Sequence, residues 1–162
     1  MKIKKLIPEV KIKKKIKHLA IAVKRDFGNN VRCIVVLDGA QNFFSVLEKE
    51  LEKLGMTVKS SFIRIKSYKG KRSSGRLDAE SIPEIKEQNL LIVDDILDTG
   101  LTLSYLRKKF PGARACVLLD KRVKKDARAD YVGFKIPDKF VVGFGLDYEE
   151  KYRELGYIGY IE

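Results

Sequence analysis

Residues 90–105 read LLIVDDILDTGLTLSY. Leu90 to Val93 are apolar without a break, the pattern of a strand covered on both faces. The strand ends on two acids, Asp94 and Asp95, and a third, Asp98, follows before Gly100. From Leu101 the residues turn helical, and Pro111-Gly112 closes the run. A buried strand, a polar turn and a helix make half of a parallel crossover unit. Ligands of open α/β sheets bind just beyond such strand ends.

The same pattern recurs on either side. Ile12, Ile16, Leu19, Ala20, Val23 and Phe27 share one helical face, and Gly28-Asn29-Asn30 stops that helix. VRCIVVLD (31–38) predicts a buried strand, FFSVLEKELEKLG (43–55) a helix and MTVKSSFIRIKS (56–67) an alternating strand. YKGKRSSGRLDAESIP (68–83) has no periodic apolar face and reads as a long loop or flexible hairpin. ARACVLLD (113–120) is another buried strand, and KRVKKDARAD (121–130) a charged loop. Short strands are expected around Pro137, then a short helix and a final strand over 148–162. Strands alternating with helices predict an α/β fold with a mostly parallel twisted sheet flanked by helices. A small C-terminal hood of short strands completes it. No repeat or linker interrupts residues 1–162, so one domain is expected.

Composition narrows the partners. The 162 residues carry 34 Lys+Arg against 22 Asp+Glu, a net charge of +12. That excludes an acidic tail or acidic chaperone and favours phosphates, pyrophosphates or nucleic acid as ligands. Residues 1–26 alone hold ten Lys+Arg against Glu9 and Asp26. The segment reads either as a solvated basic helix face or as a polyanion patch. Aromatic residues do not interleave with its lysines, so nucleic acid is not the expected partner. No apolar run approaches the roughly 18 residues of a membrane span, and no membrane partner is expected. Cys33 and Cys116 lie in apolar runs without metal-ligand spacing, and His18 is the only histidine. With no signal-peptide core at the N-terminus, these features predict a reducing, cytoplasmic setting.

The acids of residues 94–98 carry the chemistry. Asp94 and Asp95 at a strand end suit sugar hydroxyls, because each oxygen accepts hydrogen bonds, and they suit Mg²⁺. Asp98-Thr99-Gly100-Leu101-Thr102 opens a helix, where backbone amides, two threonine hydroxyls and the helix dipole converge on a phosphate monoester. The Walker A string is absent. The plainer reading is an acidic turn with a helix cap.

DDILDTGLT resembles the phosphoribosyl-pyrophosphate signature of the type I phosphoribosyltransferases, and Asp98 resembles their purine branch. SFIRIKSY is similar to the strand and Ser-Tyr start of that branch's lid, and VLLDKR to its purine-contacting lysine segment. IPDKFVVGFGLDYEEKYRELGYIG is similar to the C-terminal block of hypoxanthine-guanine phosphoribosyltransferases. The likeness spans about residues 10–162.

This resemblance implies Mg²⁺-dependent salvage of a 6-oxopurine, hypoxanthine and guanine foremost, with phosphoribosyl pyrophosphate as co-substrate. It implies that Asp94 and Asp95 face the ribose hydroxyls and metal, and that Thr99, Gly100, Leu101 and Thr102 cradle the 5′-phosphate. Asp98 is then the proton acceptor beside the purine. Lys121 donates to the exocyclic oxygen, Phe140 stacks on the base and the Val141 backbone reads its edge. Asp147 holds a second Mg²⁺, Arg153 and the Asp38-Gly39 loop bind pyrophosphate, and Ser67 and Tyr68 close as a lid. A homo-oligomer, dimer or tetramer, is expected.

Plainer readings stand beside several of these. Lys121 belongs to a cationic run, Phe140 suits a core, Tyr68 suits a strand end, and Arg153 suits a helical pair with Glu149 or Glu150. The alternatives in function are an RNA-binding regulatory protein on the same fold, or a transferase acting on xanthine or a pyrimidine. One position departs from the family: Asp38 stands where a basic residue, often lysine, is usual. A carboxylate beside pyrophosphate is repulsive unless Mg²⁺ or another cation intervenes.

Overall fold

The computed structural model describes residues 1–67, 77–79, 82 and 84–162. In chain order the elements are β1 (Ile3–Ile7), α1 (Glu9–Phe27), β2 (Asn30–Leu37), α2 (Gln41–Lys53), β3 (Thr57–Ser67) and β4 (Leu77–Ala79). They continue with β5 (Leu90–Leu97), α3 (Leu101–Lys109), β6 (Arg114–Lys121), β7 (Tyr131–Ile136), β8 (Val141–Val142) and β9 (Ile158–Ile161). The main sheet runs β4-β3-β2-β5-β6-β7. Strands β3, β2, β5, β6 and β7 are parallel, and β4 adds an antiparallel edge.

The continuous apolar runs are explained by burial on both faces. Leu91 and Val93 of β5 pack with α1 and α2, while Leu90 and Ile92 pack with α3. Cys33 and Val35 against Ile34 and Val36 repeat this on β2, as do Cys116 and Leu118 against Ala115 and Val117 on β6. The central residues of each strand thus bury side chains on both faces, the requirement of a sheet sandwiched between helices. Helix α1 turns Ile12, Ile16, Leu19, Ala20 and Val23 inward, the face predicted from their spacing. It starts earlier than expected, at Glu9, because Pro8 supplies an extended cap whose carbonyl takes the Lys11 and Ile12 amides.

Two differences from the sequence reading matter. Lys-rich Ile3–Ile7 is a strand, pairing antiparallel with β9, and β8 completes a three-stranded hood. Its burial is irregular, with only Ile7 fully covered, so no period-2 pattern announces it. The helix expected after Tyr148 is absent. Glu149, Glu150 and Tyr152 all have positive φ, and the segment instead forms a bridge between Tyr148 and Lys151. A right-handed helix cannot accommodate three such residues in four. The 68–83 expectation lies largely outside the described residues; β4, which pairs Leu77 with Ser67, fits its hairpin alternative. No helix of the described residues is long and apolar enough to cross a membrane.

Candidate active site

The C-terminal ends of β2, β5 and β6 open into one cleft. A cavity of about 370 Å³ lies over β5 and the start of α3, lined by Asp94, Asp95, Asp98 and Thr99–Thr102. A second, of about 320 Å³, is lined by Asp38, Gly39, Asp98, Lys121, Phe140, Val141, Asp147 and Arg153. The two share Gly39, Asp95, Ile96 and Asp98. The fold therefore brings together all the predicted site residues except Ser67, which ends β3, and Tyr68, which lies outside the described residues.

The strand end explains the acid pair. Asp94 Oδ1 accepts the Asp95 amide at 2.9 Å, and Asp95 Oδ1 accepts the Ile96 amide at 2.7 Å. Among the described residues neither carboxylate forms an ion pair. Burial first, and then the neighbouring Asp95 charge, push Asp94 well above the usual carboxylate range. Burial also raises Asp95, against the pull of its hydrogen bonds and of Arg153. Two partly buried carboxylates side by side are costly without a cation or hydroxyl donors. Their oxygen-only donor set matches Mg²⁺, which takes one or two carboxylates and completes its shell with water and substrate phosphate.

This makes a stability test possible. The native state holds the Asp94 proton more tightly than the unfolded chain, whose carboxyl titrates near about 3.9. Stability is therefore lost as pH rises from that value through the folded-state pKa. Asp94→Asn removes the penalty and should raise Tm by about 3 °C at neutral pH, with no gain below pH about 3.5. Thermal melts across pH check this; a lowered Tm at pH 7 would contradict it.

The turn after β5 is shaped by contact with 121–130. Gly100 has φ +90°, and a Cβ there would lie 2.7 Å from the Ala127 backbone nitrogen. The Thr99 carbonyl accepts the Asp126 amide at 2.6 Å, and Arg107 of α3 anchors the loop through the Arg128 carbonyl and Asp130. Only glycine satisfies both the left-handed backbone and the close approach. The first residues of α3 then line the cavity, as the phosphate reading requires.

At the base end, Lys121 Nζ lies 3.4 Å from Asp98 Oδ2 and 3.8 Å from Asp138 Oδ1. Its side chain is only 12% exposed, whereas Arg122 and Lys124 are exposed. That separates Lys121 from the solvated run. The 3.4 Å contact is long, and leaves both groups able to turn to a ligand. Phe140 is 53% exposed and meets Tyr148 edge-on at 5.5 Å, so it is not core. Val141 is buried on β8 beneath it. Arg153 binds Asp147 at 3.2 Å and the Gly145 carbonyl at 3.1 Å, in place of the helical partners Glu149 or Glu150. Asp147 Oδ2 also accepts the Glu150 amide.

Sequence reasoning did not single out Lys125 or Arg64. Lys125 Nζ donates to the Asp98 and Lys121 carbonyls and pairs with Asp120 at 2.7 Å, tying the 121–130 loop to the β5 turn. Its position in KRVKK resembles that of any surface lysine. Arg64 pairs with Asp38 at 2.7 Å, a contact visible only once β2 and β3 are in register.

Comparison with known proteins follows the same lines. The phosphoribosyl transferase domain family matches residues 5–149. The chain is 38% identical over 170 residues to the hypoxanthine-guanine phosphoribosyltransferase of Bacillus subtilis, covering 98% of this chain and 93% of that protein. The crystal structure of a hypoxanthine-guanine phosphoribosyltransferase from Bacillus anthracis superposes with a TM-score of 0.90 at 37% identity, covering 99% of this chain and all of that one. The Trypanosoma cruzi hypoxanthine phosphoribosyltransferase, in complex with its product IMP, gives 0.85 at 34% identity over 98% of this chain and 93% of that one. A match over 98–99% of the chain in sequence and in fold leaves one conclusion: the chain belongs to the phosphoribosyltransferase family, in its hypoxanthine-guanine branch.

Proposed function

We propose that this chain, as a single domain over residues 1–162, transfers a ribosyl 5-phosphate group from phosphoribosyl pyrophosphate to a 6-oxopurine, hypoxanthine or guanine, releasing pyrophosphate. The observation that carries the reading is the shared cleft. Asp98 borders both cavities, with the acid pair and phosphate turn on one side and Lys121 and Phe140 on the other. A phosphorylated sugar and a flat base would thus meet at Asp98.

Each residue has a task in that reaction. Thr99–Thr102 hold the 5′-phosphate at the start of α3. Asp94 and Asp95 accept from the ribose hydroxyls. Lys121 donates to a carbonyl at position 6, which favours an oxo over an amino base. Phe140 offers an exposed ring face to the base. A purine nitrogen forms the new bond to the anomeric carbon as the bond to pyrophosphate breaks, and Asp98 takes the purine proton. Arg153 and the backbone of the Asp38-Gly39 loop receive the pyrophosphate. Asp94 and Asp95 would hold one Mg²⁺ and Asp147 a second, and the ions would supply neutralisation of the charge developing on the leaving group. Ser67 and Tyr68 would begin a lid that excludes water from the cation-like ribosyl centre.

The relatives named hypoxanthine-guanine phosphoribosyltransferase, and the Trypanosoma cruzi complex with IMP, support this choice of base. We place the protein in the cytoplasm as a homo-oligomer, dimer or tetramer. Its two cysteines are buried and unpaired, and burial pushes the Cys33 thiol up to about 12, so neither needs an oxidising compartment. A spectrophotometric assay with phosphoribosyl pyrophosphate and Mg²⁺ tests the function, run separately with hypoxanthine, guanine, xanthine, adenine and uracil. Turnover is expected with hypoxanthine or guanine. Turnover confined to xanthine or uracil would overturn the base assignment, and none with any base would overturn the reaction.

A further inference from the structure

Asp38 sets the site a problem. The pyrophosphate end of the cleft is lined by the carboxylates Asp38, Asp95, Asp98 and Asp147 against only Lys121 and Arg153. A pyrophosphate entering there meets more negative than positive charge. The β2–β3 register sets Leu37 opposite Arg64, which puts Arg64 diagonally across from Asp38. Arg64 Nη2 donates to Asp38 Oδ1 at 2.7 Å. Arg64 does not itself line the cavity, so the bond directs one oxygen of Asp38 outward, to β3. Both side chains are about half exposed, at 47% and 50%, and Asp38 lines the cleft that an incoming anion would enter.

We infer that Arg64 is a positioning residue for the pyrophosphate loop: it neutralises Asp38 and turns its carboxylate away, leaving the loop's backbone to face pyrophosphate. The inference rests on the reading of Asp38-Gly39 as the pyrophosphate loop. It assigns this chain a cation from the neighbouring strand, in place of one carried on the loop. A charge-assisted bond of this length between two rim groups does little for folding. Its value lies in removing a repulsion that acts only when an anion is bound.

The test compares Arg64→Ala, Arg64→Lys, Asp38→Asn and the double variant Asp38→Asn/Arg64→Ala. Calorimetric binding of magnesium pyrophosphate is measured beside KM and kcat. Arg64→Ala should weaken pyrophosphate and raise the KM for phosphoribosyl pyrophosphate about fivefold, with kcat within about twofold. Arg64→Lys, which keeps the cation, should stay near the unaltered protein, and Asp38→Asn serves as the reference for the double variant. The double variant should return to within about twofold of Asp38→Asn, because no unpaired carboxylate is left. A merely structural Arg64 would leave the double variant as impaired as Arg64→Ala, and that result would overturn the proposal. So would Arg64→Ala binding pyrophosphate as tightly as the unaltered chain. If the unaltered chain turns over purines while Arg64→Ala is unaffected, the pairing role fails and the enzymatic reading stands. If the calorimetric pattern holds in a chain that turns over no base, the pairing role stands and the enzymatic reading fails.

Discussion

Asp98→Asn should lower kcat about 10²- to 10³-fold while the KM for phosphoribosyl pyrophosphate changes by less than about threefold. The asparagine has the same shape and can still accept a bond from Lys121 through its side-chain oxygen. It cannot take up a proton at neutral pH. The Asp98 side chain is 53% exposed, and its ion-pair partner is a lysine at 3.4 Å, so the fold loses nothing of consequence. Tm should stay within about 1 °C. In the proposed reaction the sugar phosphate is bound by the acids and amides on the other side of the cleft, which accounts for the expected split between kcat and KM. Steady-state kinetics with hypoxanthine varied against each substrate makes the comparison. An unchanged kcat would remove Asp98 from proton transfer.

Gly39→Ala should cost at least about 100-fold in kcat/KM for phosphoribosyl pyrophosphate, with a drop in Tm of only a few degrees. A Cβ on Gly39 would lie 1.9 Å from Asp95 Oδ2 and 2.8 Å from its carboxyl carbon. No rotamer relaxation of a single methyl group absorbs that, so either the loop or the Asp95 carboxylate must move. The other side offers no room either, since the Gly39 carbonyl packs against Gly145, whose own Cβ position lies 2.9 Å from that oxygen. Both groups that would shift belong to the substrate cleft, so the cost falls on activity more than on the core. Kinetics and a thermal melt on the same preparation decide it. A fully active variant would mean that the loop and the acid pair are not held in the close contact described.

The two expected losses differ in how early they can be foreseen. Asp98 is legible in DDILDTG: an apolar strand, three acids and a glycine before a helix limit what the segment can do. The family resemblance places Gly39 in the pyrophosphate loop, but its approach to Asp95 shows only once β2 and β5 are laid side by side. The same contrast runs through the site. Lys121 and Arg122 are neighbours in one cationic run, yet the end of β6 turns Lys121 into the cleft toward Asp98 and leaves Arg122 in solvent. The sequence offers Arg153 as a candidate pyrophosphate cation but not as a partner of Asp147, because the helix expected around it gives way to a chain of left-handed residues.

Local pattern alone determined the alternation of buried strands and helices, the parallel core of the sheet and the acid-rich turn after β5. Those features follow from apolar periodicity and from the few backbone shapes that glycine and a strand end allow. Tertiary structure decided the pairings that cross strands: Lys121 with Asp98, Gly39 against Asp95, Arg64 with Asp38, and β1 with β9. Each depends on register and on which strands become neighbours. Residues 26 apart in sequence, such as Asp38 and Arg64, carry no mark of their partner until the sheet that joins them has formed.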